Sequence, residues 1–286
     1  MIQIVETSRD AMQGIMEFIP TASKVEYLNS LLKVGFDILE FGSFVSPRAV
    51  PQLKDSGEVV RKLNLQGNGT RLAALVGNVR GALEAVHYDE ISYISYPHAL
   101  SGKFLELNLN SSLDKSRAIL AEILNMADKR DKKTIVYLSM AFGNPYEEEW
   151  SLDKLIRECY ELDNMGVHRI TLADTMGHSK PAQIREVYKI LSDGFPLVKF
   201  GLHMHTQKDC WYDKLEAAYI SGCKVFDGTV NGLGGCQFTG YEMIGNLSTA
   251  CIQDFLEQNG ISSKLNKKEL KKARELSAEL LESVHT

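Results

Sequence analysis

His203-Met204-His205, closing the apolar run 198–202, is the spacing in this chain that points most directly to chemistry. Side chains two apart on a strand share a face, so both imidazoles project to one point while Met204 turns away. Paired neutral imidazoles on a rigid strand make good ligands for a divalent cation. Two histidines that merely end a strand and bond to water give the same pattern, and an isolated HxH is more often that. Three further features shift the balance: Arg9-Asp10 after the first apolar run, Glu40 ending the second, and Gly232-Leu233-Gly234-Gly235-Cys236 after the last.

Short apolar runs alternate with longer amphipathic ones, the pattern of βα units around a parallel sheet. Strands are predicted at 2–6, 37–41, 71–76, 90–95, 133–141, 168–173, 198–204 and 224–230. Helical patterns lie near 22–34, 55–63, 78–86, 112–130, 152–165, 181–192, 212–221 and 243–258. Eight such units in about 250 residues is the size of a TIM barrel, an α/β (β/α)8 fold. Gly35, Gly166 and Gly222 each follow a helical run, where a left-handed residue is expected. The segments 34–40 and 221–227 read as one unit repeated, each strand ending on an acid that apolar packing would not select. A doubly wound open sheet is the alternative, but no GxGxxG follows the first strand. Residues 1–263 read as the catalytic domain and 264–286 as an appended C-terminal helix.

Composition narrows the function. Hydrophobic content of 44% and charged content of 24% are ordinary for a soluble domain. A formal charge of -5 argues against a nucleic-acid face. Lys267-Lys268 and Lys271-Lys272 are interleaved with acids, as on a solvated helix face. Cys159, Cys210, Cys223, Cys236 and Cys251 are odd in number and lack CxxC spacing, which suits a reducing compartment. No signal core, spanning apolar stretch or peroxisomal tripeptide is present, so a cytoplasmic protein without membrane contact is expected.

On the barrel reading, Arg9, Asp10, Glu40, Asp174, His203, His205, Cys236 and Asn246 ring one mouth, because barrel sites lie at the strands' C-terminal ends. Two imidazoles, a carboxylate and an amide oxygen without thiolate suit Mg²⁺ or Mn²⁺ and leave other first-row ions open. Bland readings stand beside these. Asn246 suits a helix cap as well as a ligand, Cys236 suits a small buried hydrophobe, and Arg9–Glu40 suits a buried structural pair.

Ser8-Arg9-Asp10-Ala11-Met12-Gln13, Glu40-Phe41-Gly42-Ser43-Phe44-Val45-Ser46-Pro47, Asp174-Thr175-Met176-Gly177, His203-x-His205 and Gly232–Cys236 occur in an order that carries a likeness. The chain resembles the 3-hydroxy-3-methylglutaryl-CoA lyases, and more broadly the aldolase-like metal-dependent barrel lyases, from about residue 2 to residue 258. The resemblance implies Asp10, His203, His205 and Asn246 as ligands of a divalent ion. It implies Arg9 stabilising the enolate, Cys236 assisting proton transfer, Glu40 orienting Arg9 or substrate, and Asp174 hydrogen-bonded within the site. Gln13 and Ser43 would touch the substrate. An acyl-CoA substrate, a homodimer, and a place in leucine catabolism and ketone-body formation follow from the same resemblance.

Several positions depart from the family pattern. Thr206-Gln207 stands where Asp-Thr follows HxH, and Ala11-Met12 where Gly-Leu is usual. Asn144 replaces a cysteine, Gln237 a proline, and Asn231 a small residue. None removes a chemical group, but together they leave acyl specificity open. A related aldolase or acyl-CoA-using synthase acting on another 3-hydroxyacyl thioester, and a barrel that binds metal or acyl-CoA without turnover, are the competing readings.

Overall fold

The computed structural model describes residues 2–206, 210–235 and 244–282, so Cys236 and Gln237 lie outside the described residues. Eight parallel strands close into a barrel in sequence order. They are β1 (Gln3–Glu6), β2 (Ile38–Ser43), β3 (Arg71–Leu75), β4 (Ile91–Ala99), β5 (Lys133–Ser139), β6 (Arg169–Asp174), β7 (Lys199–Met204) and β8 (Val225–Gly228). Helices α2 (Thr21–Leu32), α3 (Ser56–Lys62), α4 (Val79–Ala85), α6 (Leu113–Asp128), α7 (Leu152–Asn164), α8 (Pro181–Gly194), α9 (Trp211–Ile220) and α10 (Thr249–Gln258) answer the eight helical patterns. Two short helices, α1 (Ser8–Gln13) and α5 (Gly102–Leu109), fall where no helix was predicted.

Strand alternation sorts the side chains into two cores. Val5, Ile38, Ala73, Ile135, Tyr137 and Val225 fill the barrel interior. Their neighbours Ile4, Leu39, Leu72, Val136 and Phe226 face the helices in the main core. Glu40, Ser95, His203 and Asp227 share the interior phase, which places polar chemistry on the barrel axis above an apolar floor.

The boundaries moved where local chemistry dictated. β2 runs on to Ser43, so Glu40 sits within the strand, at a register shift between Glu40 and Gly42. β5 stops at Ser139 because Met140 takes a left-handed φ of 58°. α10 starts at Thr249, six residues later than its pattern, capped by the Ser248 hydroxyl accepting the Ala250 N–H. Asn246 is therefore not the cap. Gly35, Gly166 and Gly222 have φ of 88°, 86° and 103°, the left-handed conformation expected at those joints.

The final helix, α11 (Lys267–Glu282), packs on the barrel wall rather than standing apart. Leu265, Leu270 and Ala273 join the main core. The Asn266 N–H donates to the Val34 carbonyl at 2.8 Å, and Lys264 pairs with Asp37 at 2.7 Å.

Glu6, the last residue of β1, is fully buried. Its carboxyl accepts the Val230 N–H at 3.1 Å and the Thr249 hydroxyl at 3.0 Å, joining β1 to the chain after β8. Burial outweighs both bonds and pushes its pKa from 4.5 up to about 8. A carboxyl raised in the folded state contributes stability below pH 4.5 that is lost as pH climbs through about 8. Denaturant unfolding at pH 5 and pH 8 should show this loss, on the order of 4 kcal/mol. Glu6→Gln should remove it; an unchanged pH dependence in the variant would assign the effect elsewhere.

Candidate active site

The short helix α1 turns directly off β1 and carries Arg9 and Asp10, both buried, into the barrel mouth. Arg9 Nε and Nη2 donate to one Glu40 oxygen at 2.9 and 2.6 Å. Its Nη1 donates to Asp10 Oδ1 and to Gln13 Oε1, each at 3.0 Å. The other Glu40 oxygen accepts the Ser95 hydroxyl. Desolvation would lower the Arg9 pKa, but the carboxylates of Glu40 and Asp10 outweigh it and hold the guanidinium charged. Desolvation likewise opposes ionisation of Asp10, yet Arg9, then His203 and His205, bring its pKa below the ordinary value.

His203, on β7, and His205, just past its end, face the same cavity, their ring centroids 5.1 Å apart. His205 Nδ1 lies 3.1 Å from the Ile244 carbonyl, which can only accept. Nδ1 therefore carries the hydrogen and Nε2 keeps its lone pair. Burial and the neighbouring His203 push the His205 pKa down to about 4. His203 differs: burial lowers its pKa, but Asp227 outweighs burial and raises it. Its Nδ1 stands 3.5 Å from Asp227 Oδ2, within ion-pair range but outside hydrogen-bond geometry, and neither Asp227 oxygen has a hydrogen-bond partner.

Asn246 sits on an isolated bridge to His205 and donates its amide to Asp10 Oδ2 at 2.6 Å and to the Leu233 carbonyl at 2.8 Å. The Gly235 N–H donates to the same Asp10 oxygen at 3.3 Å. Gly234, at φ 95°, lies so close that a Cβ would meet Asn246 Nδ2 and the Asp10 carbonyl, each at 2.7 Å. Only glycine lets the loop lie on Asp10.

These donors bear on a metal. Among the described residues, no three His, Cys, Asp or Glu side chains gather tightly enough to hold an ion by themselves. The donor chemistry nonetheless fits a hard divalent cation: the Asp10 carboxylate, the free His205 Nε2, and the buried Asn246 Oδ1, which has no hydrogen-bond partner. As placed, Asn246 turns its NH₂ to Asp10, whereas ligation would use the orphaned oxygen.

A cavity of about 430 Å³ opens over Arg9, Asp10, Gln13, His203 and His205. Tyr137, Ser139 and Thr175 add polar wall, while Val45, Val50, Leu75, Phe104, Leu107 and Leu109 make an apolar side. Asp174 is not brought into it. Leu172 and Asp174 share the outward phase of β6, and the Asp174 carboxylate accepts the Ser179 N–H and hydroxyl and the Lys214 ammonium, the last at 3.2 Å. Ser43 is buried at the end of β2, its N–H donating to the Ser56 hydroxyl at 3.0 Å, and it does not line the cavity. Sequence reasoning missed Tyr137 and Asp227 as site residues. Asp227 had a signal, as the acid closing the repeated strand unit; Tyr137 had only its phase with Ser139.

Residues 1–276 match the HMGL-like family. The chain belongs to the HMGL-like family. The hydroxymethylglutaryl-CoA lyase YngG of Bacillus subtilis is 33% identical over 265 residues, covering 92% of this chain and 87% of that protein. A solved Bacillus subtilis HMG-CoA lyase superposes with a TM-score of 0.92 at 32% identity, over 98% of this chain and 94% of the other. An Acinetobacter baumannii HMG-CoA lyase solved with coenzyme A and 3-methylmalate gives a TM-score of 0.91 at 28% identity, over 99% and 92% of the two chains.

In this HMGL-like chain the Glu40–Arg9 clamp is buried, so removing one partner strands the other. Glu40→Gln should cost about 3 kcal/mol in denaturant unfolding. Adding Arg9→Met should recover part of that loss, and strictly additive costs would show that the two side chains are not coupled.

Proposed function

We propose that the chain cleaves 3-hydroxy-3-methylglutaryl-CoA to acetyl-CoA and acetoacetate. One observation carries this reading: a buried, charged Arg9, fixed by Glu40, stands beside Asp10 and across the cavity from His203 and His205. The lyase names of the relatives and the coenzyme A in the Acinetobacter structure support an acyl-CoA ligand.

A Mg²⁺ or Mn²⁺ ion held by Asp10, His203, His205 and Asn246 would supply Lewis acidity, making a tertiary alcohol easier to deprotonate. Everything else falls to the chain's own groups. Retro-Claisen cleavage breaks one carbon–carbon bond; the alcohol loses its proton and the leaving thioester carbanion gains one, so the proton balance closes. Charge develops on the thioester oxygen only as that bond breaks. Arg9, with its Nε–Nη2 edge on Glu40, keeps Nη1 on the cavity side, where it lies between Asp10 and Gln13. A guanidinium so fixed stabilises the developing enolate more than the ground state. Asp227 beside His203 would hold that ring so that Nε2 faces the ion, the usual carboxylate–histidine arrangement. Cys236, at the end of the glycine loop, would return the proton to the carbanion.

Among the described residues no helix is long and apolar enough to cross a membrane. A cytoplasmic homodimer in leucine breakdown, where acetoacetate is released as a ketone body, completes the proposal.

Acetoacetate release from 3-hydroxy-3-methylglutaryl-CoA should stop on chelation and return with Mg²⁺ or Mn²⁺. A well-folded, metal-loaded protein that leaves this thioester intact while splitting another 3-hydroxyacyl-CoA would move the assignment to the second substrate. Arg9→Met should lose turnover on the order of 10²–10³-fold with a smaller change in KM. Equal turnover in wild type and variant would remove Arg9 from the chemical step.

Cys236 should react with a thiol reagent, inactivating the protein unless substrate is bound. Cys236→Ser should be slower and insensitive to that reagent. If the variant remains fully active and is still inhibited, the exposed Cys210 is the reactive thiol.

A further inference from the structure

At the opposite end of the barrel, where the strands begin, the inward positions carry only positive charge. β3 opens with Arg71, in register with the interior residue Ile38. β5 opens with Lys133, in register with Tyr93, which packs on the interior core. β6 and β7 open with Arg169 and Lys199, in register with each other. Lys199 is two residues before Gly201, whose Cβ position faces interior Val225, so both members of that pair point inward. Four cations from four strands thus converge on one mouth.

Little among the described residues balances them. None of the four forms an ion pair among the described residues. Arg71, Lys133 and Lys199 are exposed, but Arg169 is only 7% exposed. Its Nη1 reaches Gln3 Oε1 at 3.4 Å and its guanidinium lies 5.8 Å from the Tyr93 ring centre. Nε and Nη2, the edge that grips an oxyanion with two parallel bonds, are buried without a partner. The nearby acid is Asp37, already engaged by the Ile4 N–H at 2.9 Å and by Lys264 at 2.7 Å. After desolvation, repulsion from Arg169 holds the Lys199 pKa down, with Lys133 adding to it and Asp37 opposing. Lysines just outside the ring show the ordinary alternative. Lys132 donates to the Tyr88 and Ile91 carbonyls, each at 2.7 Å, and Lys224 to the Tyr219 carbonyl at 3.3 Å. The four inward cations make no such bonds. An uncompensated guanidinium this deeply buried is costly, and an anion relieves that cost.

We propose that the N-terminal mouth of the barrel binds a small phosphate-type oxyanion, seated on the free edge of Arg169 and ringed by Arg71, Lys133 and Lys199. The site lies at the far end of the barrel axis from the catalytic cavity and does not depend on the lyase assignment. The anion is either free phosphate or the phosphate of a small metabolite.

Calorimetric titration of the full-length protein with inorganic phosphate and, separately, with glycerol phosphate tests this at constant ionic strength, with chloride as the reference anion. At least one of the two should bind saturably, and the tighter one identifies the source of the phosphate. Arg169→Gln should weaken binding at least tenfold. Lys199→Gln, at an exposed position that does not endanger folding, should weaken it several-fold, and Arg9→Met should leave it unchanged. The proposal is overturned if neither ligand binds beyond the chloride reference. It is overturned equally if both basic-mouth variants bind as wild type does, or if Arg9→Met alone abolishes binding, which would move the phosphate to the catalytic end.

Discussion

Arg9 commits two of its donors to a single oxygen of Glu40, and the orientation of the barrel mouth follows from that commitment. Glu40 cannot swing away, because Ser95 on β4 holds its other oxygen. The guanidinium plane is thereby fixed, and Nη1 is left to meet Asp10 and Gln13 on the cavity side. Asp10, in turn, receives the Asn246 amide and the Gly235 N–H from the chain after β8. First and last segments of the barrel close over one charge. A planar, permanently charged fork can do this and a lysine cannot, because an ammonium offers no edge to clamp while keeping a donor free.

The fold makes that arrangement affordable by separating two kinds of interior. Apolar residues on β1, β2, β3, β5 and β8 fill the middle of the barrel and exclude water from beneath the site. One strand step nearer the C-terminal end, the same phase presents Glu40, Ser95, His203 and Asp227. Polar groups placed there have few partners other than one another, so each interaction is stronger than it would be in water, and each omission is more costly. Asp227, with neither oxygen hydrogen-bonded, is the clearest case among the described residues.

The barrel was legible because its signal is repeated eight times. Alternation of short apolar runs and longer amphipathic ones recovers all eight strands and eight of the helices, and the left-handed Gly35, Gly166 and Gly222 mark helix-to-strand joints. The HxH pair was legible because spacing by two fixes a shared face whatever the strand's ends. Asp174 was not, because the end of a strand does not reveal its phase: Ala173 lines the cavity, and its neighbour turns outward to Ser179 and Lys214. Helices α1 and α5 escaped because six and eight residues give no periodicity to read, and tertiary contacts rather than propensity hold them. Asn246 was ambiguous in the sequence between cap and ligand; Ser248 caps α10, which removes the cap reading. The loop at Gly234 carried a different kind of signal, since only a close backbone approach to Asp10 explains why a side chain is forbidden there.

Formal charge is the reason the ion proposed for the C-terminal mouth is a divalent one. Arg9 brings one positive charge, while Asp10, Glu40 and Asp227 bring three carboxylates within one buried cluster. The excess is two negative charges. His205 cannot offset them, because burial and its neighbour hold it neutral at ordinary pH. His203 offers partial relief, since Asp227 raises its affinity for a proton. A proton on His203 still leaves a deficit and occupies the ring that would bind an ion. One dication would cancel the excess and leave both imidazoles neutral. With the proposed ion bound, the same count would leave the mouth near neutrality, so an anionic acyl substrate would not be repelled, and the fixed guanidinium would be the local positive charge toward which new negative charge can develop. The basic ring at the N-terminal mouth is the electrostatic inverse, positive charge with no ion-paired acid among the described residues, and the apolar filling of the barrel lies between the two.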